Sequence, residues 1–75
     1  MPVSLKLYAS LSALTPENAA AYPVSPGDTV GAIMEALGIH AGEAVSIVRN
    51  GHAAEPDTPV FDGDRIAFVP PVGGG

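Results

Sequence analysis

The sequence predicts an α+β fold in which one main helix packs on one face of a mixed sheet of about four to five strands. Three observations predict it. The 75 residues are enough for one small domain only. Apolar and polar residues alternate near both ends of the chain, and one stripe with helical spacing lies between them. Because the first and last strands have the clearest patterns, we expect them to lie adjacent and parallel at the centre of the sheet.

The first third of the chain predicts two strands. Residues 3–8 alternate between apolar and polar types, which is typical of a half-buried strand. The residues expected to face inward are Val3, Leu5 and Leu7. Residues 10–18 indicate a loop or a short helical turn, and residues 20–24 a second strand. Pro23 restricts that strand to an edge of the sheet, because proline lacks the N–H group that a central strand donates. Residues 25–28 have the composition of a turn.

The helix follows that turn. Four apolar residues at spacings of three and four form one stripe of a helix. They are Val30, Ile33, Met34 and Leu37. Asp28 or Thr29 is expected to cap its start, and Gly38 to end it in the left-handed conformation. Gly31 lies inside the helix, where glycine is unfavourable, so we expect it to allow a close approach to the sheet.

The second half of the chain predicts two or more further strands. Residues 44–49 form the first, with Val45 and Ile47 facing inward, and Asn50-Gly51 favours a tight hairpin turn after it. Turns are also expected at residues 57–59 and 62–64. Residues 65–69 form the last strand. The residues that share its inner face are Ile66 and Phe68.

The outer face of this sheet carries a candidate docking surface. If the inner face packs against the helix, Tyr8, Val48 and Val69 face solvent on neighbouring strands. Isolated exposed apolar residues are common in proteins. These three are expected to cluster where the last strand ends, which favours a surface that docks a partner protein.

Composition excludes several classes of protein. The net charge is −5, and three dispersed basic residues do not provide the cationic surface that nucleic acid or an anionic membrane requires, whereas a basic protein partner is compatible. The chain has no cysteine, which favours a reducing, cytoplasmic location and excludes thiol chemistry on this chain. The sequence predicts no signal peptide, and it contains no apolar run long enough to span a membrane.

No catalytic or metal-binding motif is present. His40 and His52 have no partner at a ligand spacing, so no metal site is predicted. Asp57, Asp62 and Asp64 lie in predicted turns, where aspartate is common because it bonds to its own backbone. Glycine-rich phosphate-binding loops are also missing. We therefore expect a chain with no active site of its own.

The closing residues are the exception. Residues 1–69 are predicted to form the domain and residues 70–75 a flexible tail. The tail consists of Pro70, Pro71, Val72, Gly73, Gly74 and Gly75. Two prolines favour an extended exit, and three glycines form a main chain thin enough for a narrow channel. Six residues reach about 20 Å, and the group that they deliver is the Gly75 α-carboxylate. A frayed end or a cloning remnant is the alternative.

The stretch from Asp62 to Gly75 resembles the C-terminal signature of the β-grasp, ubiquitin-like sulfur carriers. These are the small subunits of molybdopterin synthase and the sulfur carriers of the thiamine pathway. Residues 6–11 and 27–30 fit as well, so the resemblance covers essentially the whole chain. Pro-Pro-Val before the glycines is closer to the molybdopterin branch. Gly73 and Arg49 depart from the residues more usual in that branch.

The resemblance implies a carrier and not an enzyme. An E1-like adenylyltransferase would use ATP and magnesium to adenylate the Gly75 carboxylate, and a persulfide donor would convert it to a thiocarboxylate. The large subunit of molybdopterin synthase would then transfer the sulfur to a pterin precursor. Gly74 and Gly75 match the essential pair of the family, and Tyr8 and Val69 match its docking positions; Val48 is added from strand alternation alone. No cofactor would be bound stably.

Two alternatives stay open. The same chemistry on Gly75 would serve thiamine thiazole or amino-acid synthesis. A ubiquitin-like modifier or binding module would use the same terminus, and a modifier would leave an isopeptide bond to a lysine.

Overall fold

A computed structural model describes residues 2–39 and 45–71. The strands are β1 (Pro2–Leu7), β2 (Tyr22–Pro23), β3 (Ser46–Arg49), β4 (His52–Ala54) and β5 (Arg65–Val69). The helix is α1 (Val30–Leu37), and two short 3-10 helices cover Ala9–Leu14 and Ala19–Ala21. The strands form one sheet in the order β2-β1-β5-β3-β4. This is the mixed sheet with one main helix that the sequence predicts, and it matches the ubiquitin-like β-grasp fold.

The two terminal strands form the centre of the sheet, as predicted. β1 and β5 are parallel, with Leu5 opposite Ile66 and Leu7 opposite Phe68. All four of these side chains are buried, and Phe68 has no exposed surface. Burying a side chain of this size stabilises the fold by about 1.5–3 kcal/mol. The remaining strand pairs are antiparallel.

Helix α1 begins and ends where the sequence predicts. The Thr29 hydroxyl accepts a hydrogen bond from the Ala32 amide at 3.2 Å, which satisfies one of the free N–H groups of the first turn. Asp28 was the other candidate cap, and its carboxylate instead accepts from the Ser25 amide at 2.8 Å. Gly38 ends the helix with a φ of 85°. The buried face consists of Val30, Ile33 and Met34.

The sequence predicts that Gly31 allows a close approach to the sheet, and this prediction is wrong. A Cβ atom at this position would lie 2.9 Å from the Pro56 carbonyl oxygen, and the Gly31 amide donates to the same oxygen at 2.6 Å. The close approach is therefore to the connection between β4 and β5 and not to the sheet. The reason is that this connection crosses over the first turn of α1, where Val30 also donates to the Thr58 carbonyl at 2.9 Å.

The second strand is shorter than the residues 20–24 that the sequence predicts. A 3-10 helix occupies Ala19–Ala21, and only Tyr22–Pro23 pairs with β1, at the edge position that Pro23 predicts. β3 begins at Ser46, and Val45 packs partly buried against the core just before it. The predicted hairpin is confirmed: Asn50 and Gly51 have φ values of 52° and 83°, as a primed turn requires.

Candidate functional site

The three predicted docking residues lie on the outer face of the sheet. Val48 is opposite Ala67, and Val69 is opposite Ser46. The Tyr8 amide donates to the Phe68 carbonyl at 3.1 Å, which extends the β1–β5 pairing by one residue and places Tyr8 beside Val69. Tyr8 is 44% exposed, and the two valines are half-buried. The structure therefore places the three side chains on the same face of neighbouring strands, the face away from the core.

A shallow depression of about 340 Å³ lies within this outer face. The small Ala67 side chain lies in the central strand, between Lys6 on β1 and Val48 on β3. The outer-face residues that line the depression are Ser4, Lys6, Tyr8, Val48, Arg65 and Ala67. The Lys6 ammonium lies 5.8 Å from the centre of the Tyr8 ring, within the range of a cation–π contact. The outer face thus combines apolar side chains with two cations that the sequence prediction did not include.

The predicted tail begins where β5 ends. Val69 is the last residue of β5, Pro70 is half-buried and Pro71 is exposed. Because β5 is central in the sheet, the chain leaves the sheet next to Tyr8 and the rest of the outer face. The other predicted tail residues, Val72 to Gly75, lie outside the described residues, so the boundary at residue 69 and the role of the tail stay predictions.

A buried carboxylate anchors the other end of β5. The Asp64 side chain accepts hydrogen bonds from Arg49 Nε at 2.7 Å, from Asn50 Nδ2 at 3.0 Å and from the Phe61 amide at 2.8 Å. Burial raises the pKa of Asp64, but these donors and the Arg49 charge outweigh it and hold that pKa below its usual value. Asp64 therefore stays ionised while it joins the turn before β5 to Arg49 and Asn50.

Asn50 links this carboxylate to the first residue of β5. Its side-chain oxygen accepts from the Arg65 amide at 2.8 Å, and its own amide donates to the Arg65 carbonyl at 2.8 Å. The Arg49 guanidinium also lies 5.5 Å from the centre of the Phe61 ring. The sequence predicts local turn bonding for Asp64, which the Phe61 contact confirms, but it does not predict the ion pair with Arg49. The arginine before the Asn-Gly turn was a signal that could have pointed to it.

The described residues contain no group of three histidine, cysteine, aspartate or glutamate side chains that could hold a metal ion. His52 is exposed on β4, and His40 lies outside the described residues. None of the helices in residues 2–39 and 45–71 is long and apolar enough to cross a membrane. In this part of the chain, the feature that fits the predicted docking role is the outer face of the sheet beside the start of the tail.

Comparisons with known proteins agree with this fold. No curated protein matches the chain. Among solved structures, SAMP1 from Haloferax volcanii is 29% identical, with a TM-score of 0.71 and coverage of 100% of both chains. A second structure, of H. volcanii small archaeal modifier protein 1, is 29% identical with a TM-score of 0.70, and the match covers 93% of this chain and 97% of that one. The ThiS family matches residues 5–75, so the chain belongs to the ThiS family of β-grasp sulfur carriers.

Proposed function

We propose that this protein carries sulfur as a thiocarboxylate on Gly75. The observation that carries the proposal is the family match over residues 5–75, which includes both the outer face of the sheet and the closing glycines. The fold supports it, because the strand that leads into the tail lies at the centre of the sheet. In this proposal a partner binds the folded domain while the tail enters that partner's active site.

The chemistry takes place on the partners of this chain. An E1-like adenylyltransferase with ATP and magnesium joins the Gly75 carboxylate to AMP and releases pyrophosphate. A persulfide then displaces AMP and forms an acyl disulfide with the Gly75 carbonyl carbon. A second thiol attacks the donor sulfur of its S–S bond, so that the donor leaves as part of a new disulfide and the outer sulfur stays on Gly75 as a thiocarboxylate. Glycine suits both steps, since no Cβ atom hinders attack at its carbonyl. ATP and magnesium are substrates of the activating partner and are not held by this chain.

The acceptor of the sulfur is, in this proposal, a pterin precursor in the synthesis of molybdenum or tungsten cofactor. The support is Pro70-Pro71-Val72 before the glycines, which is closer to the small subunits of molybdopterin synthase than to thiamine-pathway carriers. The large subunit of molybdopterin synthase would then receive the tail. Thiazole and amino-acid synthesis are the competing acceptors, and assays with each purified acceptor enzyme distinguish them.

Intact-mass spectrometry tests the carrier function directly. The protein is incubated with the activating enzyme from its own genome, ATP, magnesium and a persulfide donor. We expect a mass gain equal to the replacement of one oxygen by sulfur, located on the C-terminal peptide. An activating enzyme that consumes ATP with this chain yet never leaves sulfur on Gly75 would contradict the proposal.

A ubiquitin-like modifier is the second candidate function. The observation that favours it is the 29% identity over the whole chain to SAMP1, since the same archaeal protein is described as a small archaeal modifier protein. A modifier would form an amide between the Gly75 carboxyl group and a lysine of another protein. Mass spectrometry of tryptic peptides from the source cells would then show a branched lysine peptide, which a carrier alone does not produce.

A further inference from the structure

We propose that the outer face of the sheet binds a partner surface that carries carboxylates, and that Lys6 and Arg65 are the side chains that contact them. The inference rests on the proposed function, because the partner is the E1-like adenylyltransferase that activates Gly75. It adds the charge of the partner surface and two contact residues to the apolar docking residues predicted from the sequence.

The charges of the chain are segregated between its elements. All three basic residues lie in strands: Lys6 in β1, Arg49 in β3 and Arg65 in β5. The acidic residues that the structure describes lie in the helix or in connections. They are Glu17, Asp28, Glu35, Glu55, Asp57, Asp62 and Asp64. The sheet is therefore the cationic part of an acidic protein.

Strand alternation places Lys6 and Arg65 on the outer face. Their neighbours Leu5 and Ile66 are buried on the inner face, whereas both cationic residues are exposed. Arg49, by contrast, is half-buried, and its Nε lies 2.7 Å from Asp64 Oδ2 in an ion pair. That is the one ion pair within residues 2–39 and 45–71, so no described carboxylate neutralises Lys6 or Arg65.

The two cations border the depression around Ala67. Lys6 is directly opposite Ala67, and Arg65 precedes Ala67 by two residues on the same face of β5. A partner that places an apolar side chain against Ala67 and Val48 would therefore bring the surrounding groups next to both cations. Carboxylates at those places would form ion pairs, whereas lysine or arginine would be repelled.

This arrangement also orients the encounter. A chain with a net charge of −5 is repelled as a whole by an acidic partner surface. The two cations make the outer face attractive to carboxylates. An acidic partner therefore approaches this protein preferentially from the side on which the tail begins. The basic partner that net charge alone allows would instead meet the helix and the connections.

Steady-state adenylation kinetics with the purified activating enzyme test the inference. The variants are Lys6→Ala, Arg65→Ala and the double variant, with Lys6→Arg and Arg65→Lys to retain the charges and Glu35→Gln as the control on the helix. We expect KM of the double variant to rise about 3- to 10-fold at low salt, with kcat unchanged, since exposed ion pairs contribute modestly. The charge-retaining variants should keep a near-native KM, and the control should not raise KM.

Salt provides the second measurement. Between about 50 mM and about 300 mM NaCl, KM of the wild-type protein should rise, and KM of the double variant should change less, because screening acts only on charges that interact. A double variant with the native KM and the native salt dependence overturns the inference. Sedimentation analysis measures whether the free protein dimerises. A dimer that the double variant abolishes would place a second copy on the outer face and also overturns the inference.

The two proposals fail in different ways. If the wild-type protein is adenylated but its KM does not depend on salt or on Lys6 and Arg65, only the partner inference fails. If the wild-type protein is never adenylated by the enzyme, the carrier function fails and the inference fails with it.

Discussion

The Asp64 carboxylate, a single buried group, joins the turn before β5 to the hairpin after β3. It accepts from the Phe61 amide within its own turn and from Arg49 and Asn50, which are 15 and 14 residues away in the sequence. Such bonds to a charged group contribute more than neutral ones, because the ion strengthens each of them. A residue that looks like ordinary turn chemistry in the sequence thus positions the strand that leads to the tail.

We predict that Asp64→Asn lowers the free energy of unfolding by about 2–3 kcal/mol, since it removes the ion pair and leaves Arg49 without its carboxylate. Urea unfolding followed by circular dichroism measures this. Asp62→Asn is the matched control, because Asp62 is exposed in the turn that contains the buried Asp64, and a change within about 0.5 kcal/mol is expected there. Equal stability of the two variants would show that the cluster is not structural.

The same carboxylate predicts how stability depends on pH. The pKa of Asp64 is lowered in the folded protein, so its contribution is complete above the unfolded pKa of about 4 and is lost as pH falls through the lower folded pKa. Unfolding titrations from pH 6 down to pH 2 should show a loss of stability in the acid range that is smaller in Asp64→Asn. A variant that loses as much stability as the wild-type protein over this range would contradict the assignment.

At the scale of elements, helix α1 is defined by its ends and by one glycine. Thr29 and Gly38 set its limits, and Gly31 lets the Pro56 carbonyl approach its first turn. Alanine is about 1 kcal/mol better than glycine inside a helix, which on its own would make Gly31→Ala stabilising. The added Cβ atom would meet a backbone oxygen at 2.9 Å, and a backbone atom cannot move aside cheaply.

We therefore predict that Gly31→Ala destabilises the fold by about 1–3 kcal/mol, because overpacking outweighs helix propensity. Thermal unfolding measures the change. Ala36→Gly, at an exposed position of the same helix, is the control for propensity alone and should cost about 1 kcal/mol. A higher melting temperature for Gly31→Ala would mean that the connection moves away from the helix.

The outer face of the sheet gives a second prediction at the scale of elements. Tyr8→Ala should weaken binding to the activating enzyme about tenfold or more, as is common when a central aromatic contact is truncated, with little change in melting temperature. Isothermal titration calorimetry measures the affinity. Leu14→Ala removes a similarly exposed apolar side chain outside the outer face and should leave the affinity unchanged. Equal effects of both variants would exclude the outer face as the docking surface.

At the scale of the whole molecule, the proposed function assigns stability and chemistry to different parts of the chain. The buried core residues described by the structure lie between positions 3 and 68, and the family match continues to Gly75. Deletion of Gly75 should therefore leave the melting temperature unchanged and abolish both the adenylate and the thiocarboxylate. Intact mass and thermal unfolding of the same sample measure the two effects. Sulfur transfer by the shortened chain at the native rate would refute the proposed function.

The amino-acid sequence by itself determined the limits of α1, the Asn50-Gly51 turn and the alternation of buried and exposed residues in the terminal strands β1 and β5. These features follow from periodicity, capping and turn chemistry, which act over a few residues and are legible in any short window. Resemblance to a family added the proposed role of the closing glycines.

Only the tertiary structure decided which distant residues meet. The Asp64–Arg49 pair, the contact of Gly31 with Pro56 and the position of Lys6 opposite Ala67 each depend on strand register and on the path of a connection. A shift of one residue in register would move every side chain of a strand to the other face, so alternation shows that a strand has two faces but not what each face meets. The packing of the core selects one register, and that choice places the cations beside the apolar docking residues.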